Sequence, residues 1–140
     1  MTQFKKYPLH IDHNTEEKLT IASGCVIFHD NKVLLVRPKN SDKFQIPGGT
    51  LHDNESLREC ALRELSEEVN MKADIISEPF IYSLLINDTR TLLFFYKSEI
   101  TSEKVTIGEE IEEYLWADII QLPLNTYDNV KAAVNFFREG

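Results

Sequence analysis

The sequence predicts one domain of the α/β or α+β class, in which helices pack against a β-sheet. Strand-like runs of Ile, Val, Leu and aromatic residues recur along the chain. One helical pattern lies between them and a second closes the sequence. The 140 residues are enough for one core but not comfortably for two.

Composition and charge narrow the class of protein. Hydrophobic residues make up 42% and charged residues 27% of the chain, which is ordinary for a globular protein. The formal net charge of −8 argues against a basic surface that binds a nucleic-acid polymer, but not against a small phosphorylated substrate. No apolar run approaches the ~20 residues that cross a membrane, and no signal-peptide core is seen. A cytoplasmic protein without membrane contact is therefore expected.

The first part of the chain predicts a hairpin and a tight turn. Residues 19–28 are typical of a strand, His29-Asp30-Asn31 of a turn, and residues 32–37 of a second strand. Further on, Pro47-Gly48-Gly49 marks a place where we expect the backbone to turn tightly.

A helix is predicted after this glycine turn. Asp53 or Asn54 is expected to cap its N-terminus, with Glu55 in the first turn. Asn70 falls where the helix should end in a left-handed residue. Apolar residues that recur every four positions define its buried face: Leu57, Ala61, Leu65 and Val69.

The second half predicts further strands and a closing helix. Thr126 or Asp128 is expected to cap that helix. The apolar face of the helix is expected to include Val130, Ala133, Val134 and Phe137. The strands are expected over residues 75–86, 91–100, 104–107 and 114–117.

Three carboxylates on the first helix predict a metal site. Glu64, Glu67 and Glu68 are three and four residues apart, so their side chains converge on one patch. Carboxylates that close repel one another unless a cation neutralises them, and hard divalent cations, above all Mg²⁺, suit oxygen ligands. A helical projection places Glu64 and Glu68 at the edge of the apolar face, where unpaired burial is costly. The alternative is a solvated helix surface with ordinary ion pairs.

The spacing of the whole segment resembles the Nudix box, Gly-x5-Glu-x7-Arg-Glu-U-x-Glu-Glu-x-Gly-U, where U is aliphatic. Asn70 stands where the family has Gly, and both residues tolerate a positive φ angle. The resemblance implies a Nudix-type α/β/α sandwich with a mixed β-sheet over residues 19–140, and residues 1–18 as an extension that supplies an extra strand or an interface. The matching positions are Gly49, Glu55, Arg63, Glu64, Leu65, Glu67, Glu68 and Met71.

The resemblance also implies an activity. Members hydrolyse a nucleoside diphosphate linked to another moiety, by water attack at phosphorus with Mg²⁺ or Mn²⁺. By position, Glu67 and Glu68 correspond to metal ligands, and Glu64 to a ligand or the general base. The carbonyl group of Gly48 is expected to complete the inner shell of the metal.

Other residues are expected to support the site. Arg63 and Glu55 correspond to a pair that orients loop and helix, and Gly49 and Asn70 to structural positions of the box. An additional carboxylate from outside the box is common in the family, and Glu110 is the predicted one. Its rivals in the same acidic run are Glu109 and Glu113. The run could equally be a solvated acidic loop.

The residues that contact the substrate are less clearly indicated. Arg37 and Lys39 precede the glycine turn, where they could meet phosphates or simply be solvated. Phe44 and Tyr82 could stack on a nucleobase, although aromatic residues on strands more often belong to the core. The downstream proline of ADP-ribose pyrophosphatases is absent, since Pro79 comes too early. Nucleoside triphosphates, their oxidised forms and nucleotide sugars stay open as substrates.

Two other functions compete with a hydrolase of small nucleotides. A Nudix-fold sensor would bind a nucleotide without cleaving it, but it has no need of the complete carboxylate set. An isopentenyl-diphosphate isomerase-like enzyme is disfavoured by the short chain and by Cys25 and Cys60, which are expected to be buried, reduced thiols. A homodimer is compatible with the sequence, since family members often dimerise.

Overall fold

A computed structural model describes residues 18–101 and 104–138, which form a mixed seven-stranded sheet with one helix on each face. The strands are β1 (Lys18–His29), β2 (Lys32–Pro38), β3 (Gly48–Thr50), β4 (Ala73–Ile75), β5 (Phe80–Ile86), β6 (Thr89–Ile100) and β7 (Ile111–Asp118). The helices are α1 (Leu57–Val69) and α2 (Asp128–Arg138). The predicted α/β/α sandwich is confirmed. The predicted extension, 1–18, lies outside the described residues except for Lys18.

The sheet is built around a parallel pair. β1 and β6 pair from Lys18–Thr89 to Ile27–Ser98. The other pairings are antiparallel, which makes the sheet mixed. The strand order is β4-β6-β1-β2-β7, with β3 beside β1 and β5 beside β6.

Alternating side chains of the central strands separate two cores. Cys25 and Ile27 pack on the α1 side of the sheet, whereas Val26 between them packs on the α2 side. The predicted apolar face of α1 is buried: Leu57, Ala61, Leu65 and Val69. So is that of α2: Val130, Ala133, Val134 and Phe137. No helix in the described ranges is long and apolar enough to cross a membrane.

The predicted start of α1 is wrong. Its N-cap is Ser56, whose hydroxyl accepts from Glu59 N–H at 3.0 Å, while the Glu59 carboxylate accepts from Ser56 N–H at 2.8 Å. This capping box satisfies two helix donors at once. Asn54 instead lies in the preceding loop with a φ of 64°. Glu55 also precedes the helix and accepts from His52 N–H at 3.0 Å.

Two strand predictions also need correction. The run 75–86 is broken because Ile75 pairs with Ser98 but Phe80 with Phe95, so residues bulge out between β4 and β5. Pro79, which has no N–H to donate, lies in the bulge. Residues 104–107 form no strand. Their backbone lies instead against the end of α1.

The predicted hairpin is confirmed, and the predicted cap of α2 is displaced by one residue. Asp30 and Asn31 turn between β1 and β2 with φ angles of 51° and 64°. The carbonyl of Tyr127 accepts the first α2 hydrogen bonds, so Tyr127 takes the capping position rather than Thr126 or Asp128. Thr126 instead pairs with Phe44 in an isolated parallel β-bridge.

Candidate active site

The carboxylates of α1 differ sharply in exposure. Glu68 is buried at 8% exposure, and its Oε1 has no hydrogen-bond partner. The side chain of Glu64 is 13% exposed, whereas that of Glu67 is 58% exposed. The expected position of Glu64 and Glu68 at the edge of the core is therefore confirmed. A buried carboxylate oxygen without a partner is costly, which points to a ligand that neutralises it.

Burial and neighbouring negative charges both raise the pKa of Glu68. Burial raises its pKa most, and the adjacent Glu64 carboxylate raises it further. A backbone hydrogen bond from Gly48 works in the opposite direction. Glu110 also raises the pKa of Glu68 by repulsion, so the predicted outer carboxylate lies near the acidic pair. Each of these upward shifts would be reversed by a bound cation.

The expected tight turn is only a bend at Pro47, which leads into Gly48 and Gly49, the first residues of β3. These two glycines of the glycine turn provide space. No glycine among the described residues has a positive φ angle, so conformational freedom is not the reason. A Cβ on Gly49 would lie 2.6 Å from the Glu64 carboxyl carbon, and one on Gly48 would lie 2.6 Å from the carbonyl oxygen of Ser23. The turn thus brings its backbone directly against the carboxylate pair.

Arg63 ties the carboxylates to the preceding loop. Its Nη2 donates to Glu55 at 3.2 Å and to the carbonyl oxygen of Thr50 at 3.1 Å. Its Nη1 donates to Glu64 at 2.9 Å and to Glu67 at 3.1 Å. The pKa of Arg63 is raised chiefly by its hydrogen bond to Glu55, and the pKa of Glu55 is lowered chiefly by the same bond. The expected pair of Arg63 and Glu55 is therefore present.

The donor set fits a hard divalent cation, but it is not fully assembled. Within 18–101 and 104–138, no three His, Cys, Asp or Glu side chains are already arranged as a metal site. Glu64 and Glu68 are adjacent, whereas Glu67 points to Arg63. The unpartnered Oε1 of Glu68 is an oxygen donor of the kind that Mg²⁺ and Mn²⁺ prefer. Glu67 would have to leave Arg63 to join the pair.

The rivals of Glu110 are placed differently. The Glu113 carboxylate accepts a hydrogen bond from Arg37 Nε at 2.8 Å. This bond engages both Glu113, the rival carboxylate, and Arg37, the predicted phosphate contact. Glu109 is exposed. Lys39 is exposed as well, and its N–H donates to the carbonyl oxygen of Glu110 at 2.9 Å. Lys39 thus lies near the acidic pair, and Arg37 is held beside the strand edge.

A cleft of about 220 Å³ opens beside Gly48 and Gly49. None of the described residues that line it is charged. The polar and aromatic residues along its walls are Ser23, Gln45, Thr91, Phe94, Phe95, Tyr127 and Asn129. An uncharged cleft next to an acidic pair has room for a neutral group whose attached phosphates reach the acids.

The two aromatic residues predicted to stack on a base do not line this cleft. Phe44 is 7% exposed and belongs to the core on the α2 side, so a stacking role does not fit its position. Tyr82 is half-buried against the same core. Sequence reasoning missed Gln45 and Asn129, which are 84 residues apart in the chain (129 − 45). The only sequence signal was that Gln45 adjoins the glycine turn.

The two cysteines are free and buried, as expected. Burial raises the pKa of Cys25 to about 11 and that of Cys60 to about 12. The Cys60 thiol donates to the carbonyl oxygen of Gly49 at 3.4 Å. Both thiols are therefore protonated near neutral pH, which does not suit a nucleophile.

The chain is similar to known proteins over most of its length. A NUDIX domain model matches residues 18–138. An ADP-ribose pyrophosphatase of Methanocaldococcus jannaschii is 26% identical over 139 residues, which cover 96% of this chain and 79% of the relative. An 8-oxo-dGTP diphosphatase of Proteus vulgaris is 32% identical over 101 residues, which cover 64% of this chain and 88% of the relative. The fold is similar to that of a MutT NUDIX hydrolase from Burkholderia pseudomallei, with a TM-score of 0.78 at 19% identity over 85% of this chain and 98% of that one. The chain therefore belongs to the Nudix hydrolase family.

Proposed function

We propose that this protein is a metal-dependent pyrophosphohydrolase of small nucleotides. Its substrate is a nucleoside triphosphate, an oxidised nucleotide or a nucleotide sugar, and its cofactor is Mg²⁺ or Mn²⁺. The observation that carries the proposal is the buried, unpartnered Oε1 of Glu68 beside Glu64 and the glycine turn. The relatives named for hydrolysis of ADP-ribose and of 8-oxo-dGTP support a nucleotide as substrate.

The chain's own residues divide the work of the reaction. Glu64 and Glu68, with the Gly48 carbonyl, Glu67 after its release from Arg63, and Glu110, would hold the cation. When bound, that cation neutralises phosphate oxygens and makes a water more acidic. Glu64 is a ligand or the general base that accepts the proton of the attacking water. The water oxygen forms a bond to phosphorus, and the bridging oxygen leaves with its electron pair on the second phosphate.

We propose that the neutral cleft is the binding site of the nucleobase. Gln45 and Asn129 each offer an amide donor and an amide acceptor, which match the polar edge of a base. The apolar walls near Leu84 and Phe95 match its faces. Because the cleft adjoins Gly48 and Gly49, a base held there would direct its phosphates toward the acidic pair.

The proposed setting is cytoplasmic, without a membrane or a nucleic-acid polymer as partner. The net charge of −8 supports this, since a polyanion would be repelled. An N-terminal extension at 1–18 and a homodimer both stay predictions.

The test is a panel assay. The protein is incubated with Mg²⁺ and nucleoside triphosphates, oxidised dNTPs, nucleotide sugars, ADP-ribose and dinucleoside polyphosphates, and the nucleotide products are separated and quantified by chromatography. This readout is needed because nucleotide sugars, ADP-ribose and dinucleoside polyphosphates release phosphorylated products rather than inorganic phosphate or pyrophosphate. We expect hydrolysis of at least one substrate that chelator and Glu68→Gln both abolish. Hydrolysis that survives either treatment would overturn the mechanism. Nucleotide binding without any hydrolysis would instead favour the sensor.

A further inference from the structure

Asn70 does more at the end of α1 than adopt a left-handed backbone. Its φ and ψ angles are 56° and 38°, and its N–H donates to the carbonyl oxygen of Ser66 at 3.0 Å. Glycine, the residue of the box at this position, would satisfy both of those needs. Asn70 also donates from Nδ2 to the carbonyl oxygen of Thr106 at 2.7 Å. Glycine has no side chain to make that bond.

The segment that Asn70 holds lies on the C-terminal end of α1. Thr106 N–H donates to the carbonyl oxygen of Val69 at 3.0 Å, and Gly108 N–H donates to that of Glu68 at 2.9 Å. These bonds satisfy carbonyl groups that a helix end otherwise leaves open. The fit is close, since a Cβ on Gly108 would lie only 2.3 Å from the carbonyl oxygen of Glu67.

This segment leads directly to Glu110. Ile111 N–H donates to the carbonyl oxygen of Gly108 at 3.2 Å, which closes a turn with Glu110 inside it. The Glu110 carboxylate repels that of Glu68, which lies on the last turn of α1. Glu110 is thus held from two sides, by residues 106–108 against α1 and by Lys39 N–H, which donates to its carbonyl oxygen at 2.9 Å.

We propose that Asn70 is a positioning residue, which fixes residues 106–110 on the end of α1 and so keeps Glu110 beside Glu68. The inference rests on the proposed function for its catalytic consequence, but the contact itself is independent of any reaction. It assigns to the position that departs from the box a role that its usual glycine cannot perform.

The test uses matched substitutions. Asn70→Gly keeps the left-handed backbone and removes the amide, and Asn70→Asp keeps the size and removes the donor. Asn87→Gly is the control, because Asn87 also has a φ of 56° but lies in the turn between β5 and β6. Hydrogen exchange of the Thr106 and Gly108 amides is measured in metal-free protein. We expect both Asn70 variants, and not Asn87→Gly, to exchange these amides about tenfold faster, as loss of one hydrogen bond implies.

Binding of Mn²⁺ gives a second readout that needs no substrate. We expect both Asn70 variants to bind Mn²⁺ about tenfold more weakly, as is usual when a residue that orients a ligand is lost. In a Glu110→Gln background the same Asn70 substitutions should change the affinity less than about twofold, because the two residues act through one path. Unchanged amide exchange, or a full loss of affinity in the Glu110→Gln background, would overturn the proposal. A failure of the panel assay alone would count against the proposed function and leave these two readouts decisive.

Discussion

Arg63 and Thr50 are joined by a hydrogen bond of 3.1 Å from guanidinium Nη2 to the main-chain carbonyl. The bond connects the middle of α1 to the last residue of β3. The same guanidinium also binds Glu55, Glu64 and Glu67. One side chain therefore fixes the distance between the glycine turn and the carboxylates that it faces.

Replacing Arg63 with lysine should damage the site more than the fold. A lysine ammonium is a single point charge and cannot serve four acceptors in a planar fork. We expect Arg63→Lys to lower kcat about 10–100-fold, as for other residues that orient metal ligands. Steady-state kinetics on the best panel substrate measures the effect. Arg58→Lys is the control on the same helix, where the ion pair with Glu78 is exposed; equal losses in both variants would contradict this account.

Metal-free Glu68→Gln should be more stable than the parent protein at neutral pH. The pKa of Glu68 is raised in the folded state, so folding favours the protonated acid, and stability falls as pH rises above the unfolded pKa of Glu. Glutamine removes that loss, so the free energy of unfolding should rise by about 1–3 kcal/mol, as for a buried unsatisfied group. The gain should vanish below about pH 4, where both forms are neutral.

Urea unfolding at several pH values, with and without Mg²⁺, measures this difference. Mg²⁺ should stabilise the parent protein and stabilise Glu68→Gln much less. In metal-free protein Glu67→Gln is the control, since the side chain of Glu67 is 58% exposed and its replacement removes no buried charge. A Glu68→Gln protein that is less stable than the parent at pH 8 without metal would refute the assignment.

Alanine at the two glycines of the turn should separate function from stability. A Cβ at Gly49 meets only the end of the Glu64 side chain, so Gly49→Ala should displace that carboxylate and weaken Mn²⁺ binding with little effect on folding. A Cβ at Gly48 meets the backbone of Ser23 and Gly24, so Gly48→Ala should cost about 1–3 kcal/mol of unfolding free energy. Metal titration and denaturant unfolding of both variants distinguish them. Destabilisation by Gly49→Ala together with weaker Mn²⁺ binding in Gly48→Ala would contradict these two assignments.

Asn129→Leu should impair substrate binding rather than chemistry. If the cleft holds the base, loss of the amide should raise KM about tenfold and leave kcat within a few-fold, since a hydrogen bond contributes about 1 kcal/mol. Asn135→Leu, on the same helix but outside this cleft, should change neither constant. An unchanged KM in Asn129→Leu would remove the cleft from the binding site.

The sequence was informative where local periodicity decides structure. The buried face of α1 and the edge position of Glu64 and Glu68 follow from helical spacing alone. The cap at Ser56 was also readable, because a glutamate three residues later forms a capping box. Asp53 and Asn54 were stronger caps by residue type only, and the loop needed Asn54 for a positive φ angle.

The spacing of residues along the chain could not predict which residues distant in sequence come into contact. Residues 104–107 have strand composition, yet the donor of Thr106 binds the open carbonyl of Val69 because that end of α1 lies beside it. The cleft likewise joins Gln45 to Asn129, which no local pattern relates. Tertiary contacts override propensity in both places.

The parallel pairing of β1 with β6 sets an order on assembly. Paired residues such as Cys25 and Tyr96 are far apart in the chain. Forming this pairing therefore carries the entropic cost of closing a long loop. During synthesis, β1 must wait until the ribosome has delivered Ser98 before its full complement of partners exists. Until then β1 can pair only with β2 and β3 and pack only against α1, so one edge of this strand stays unpaired in the nascent chain.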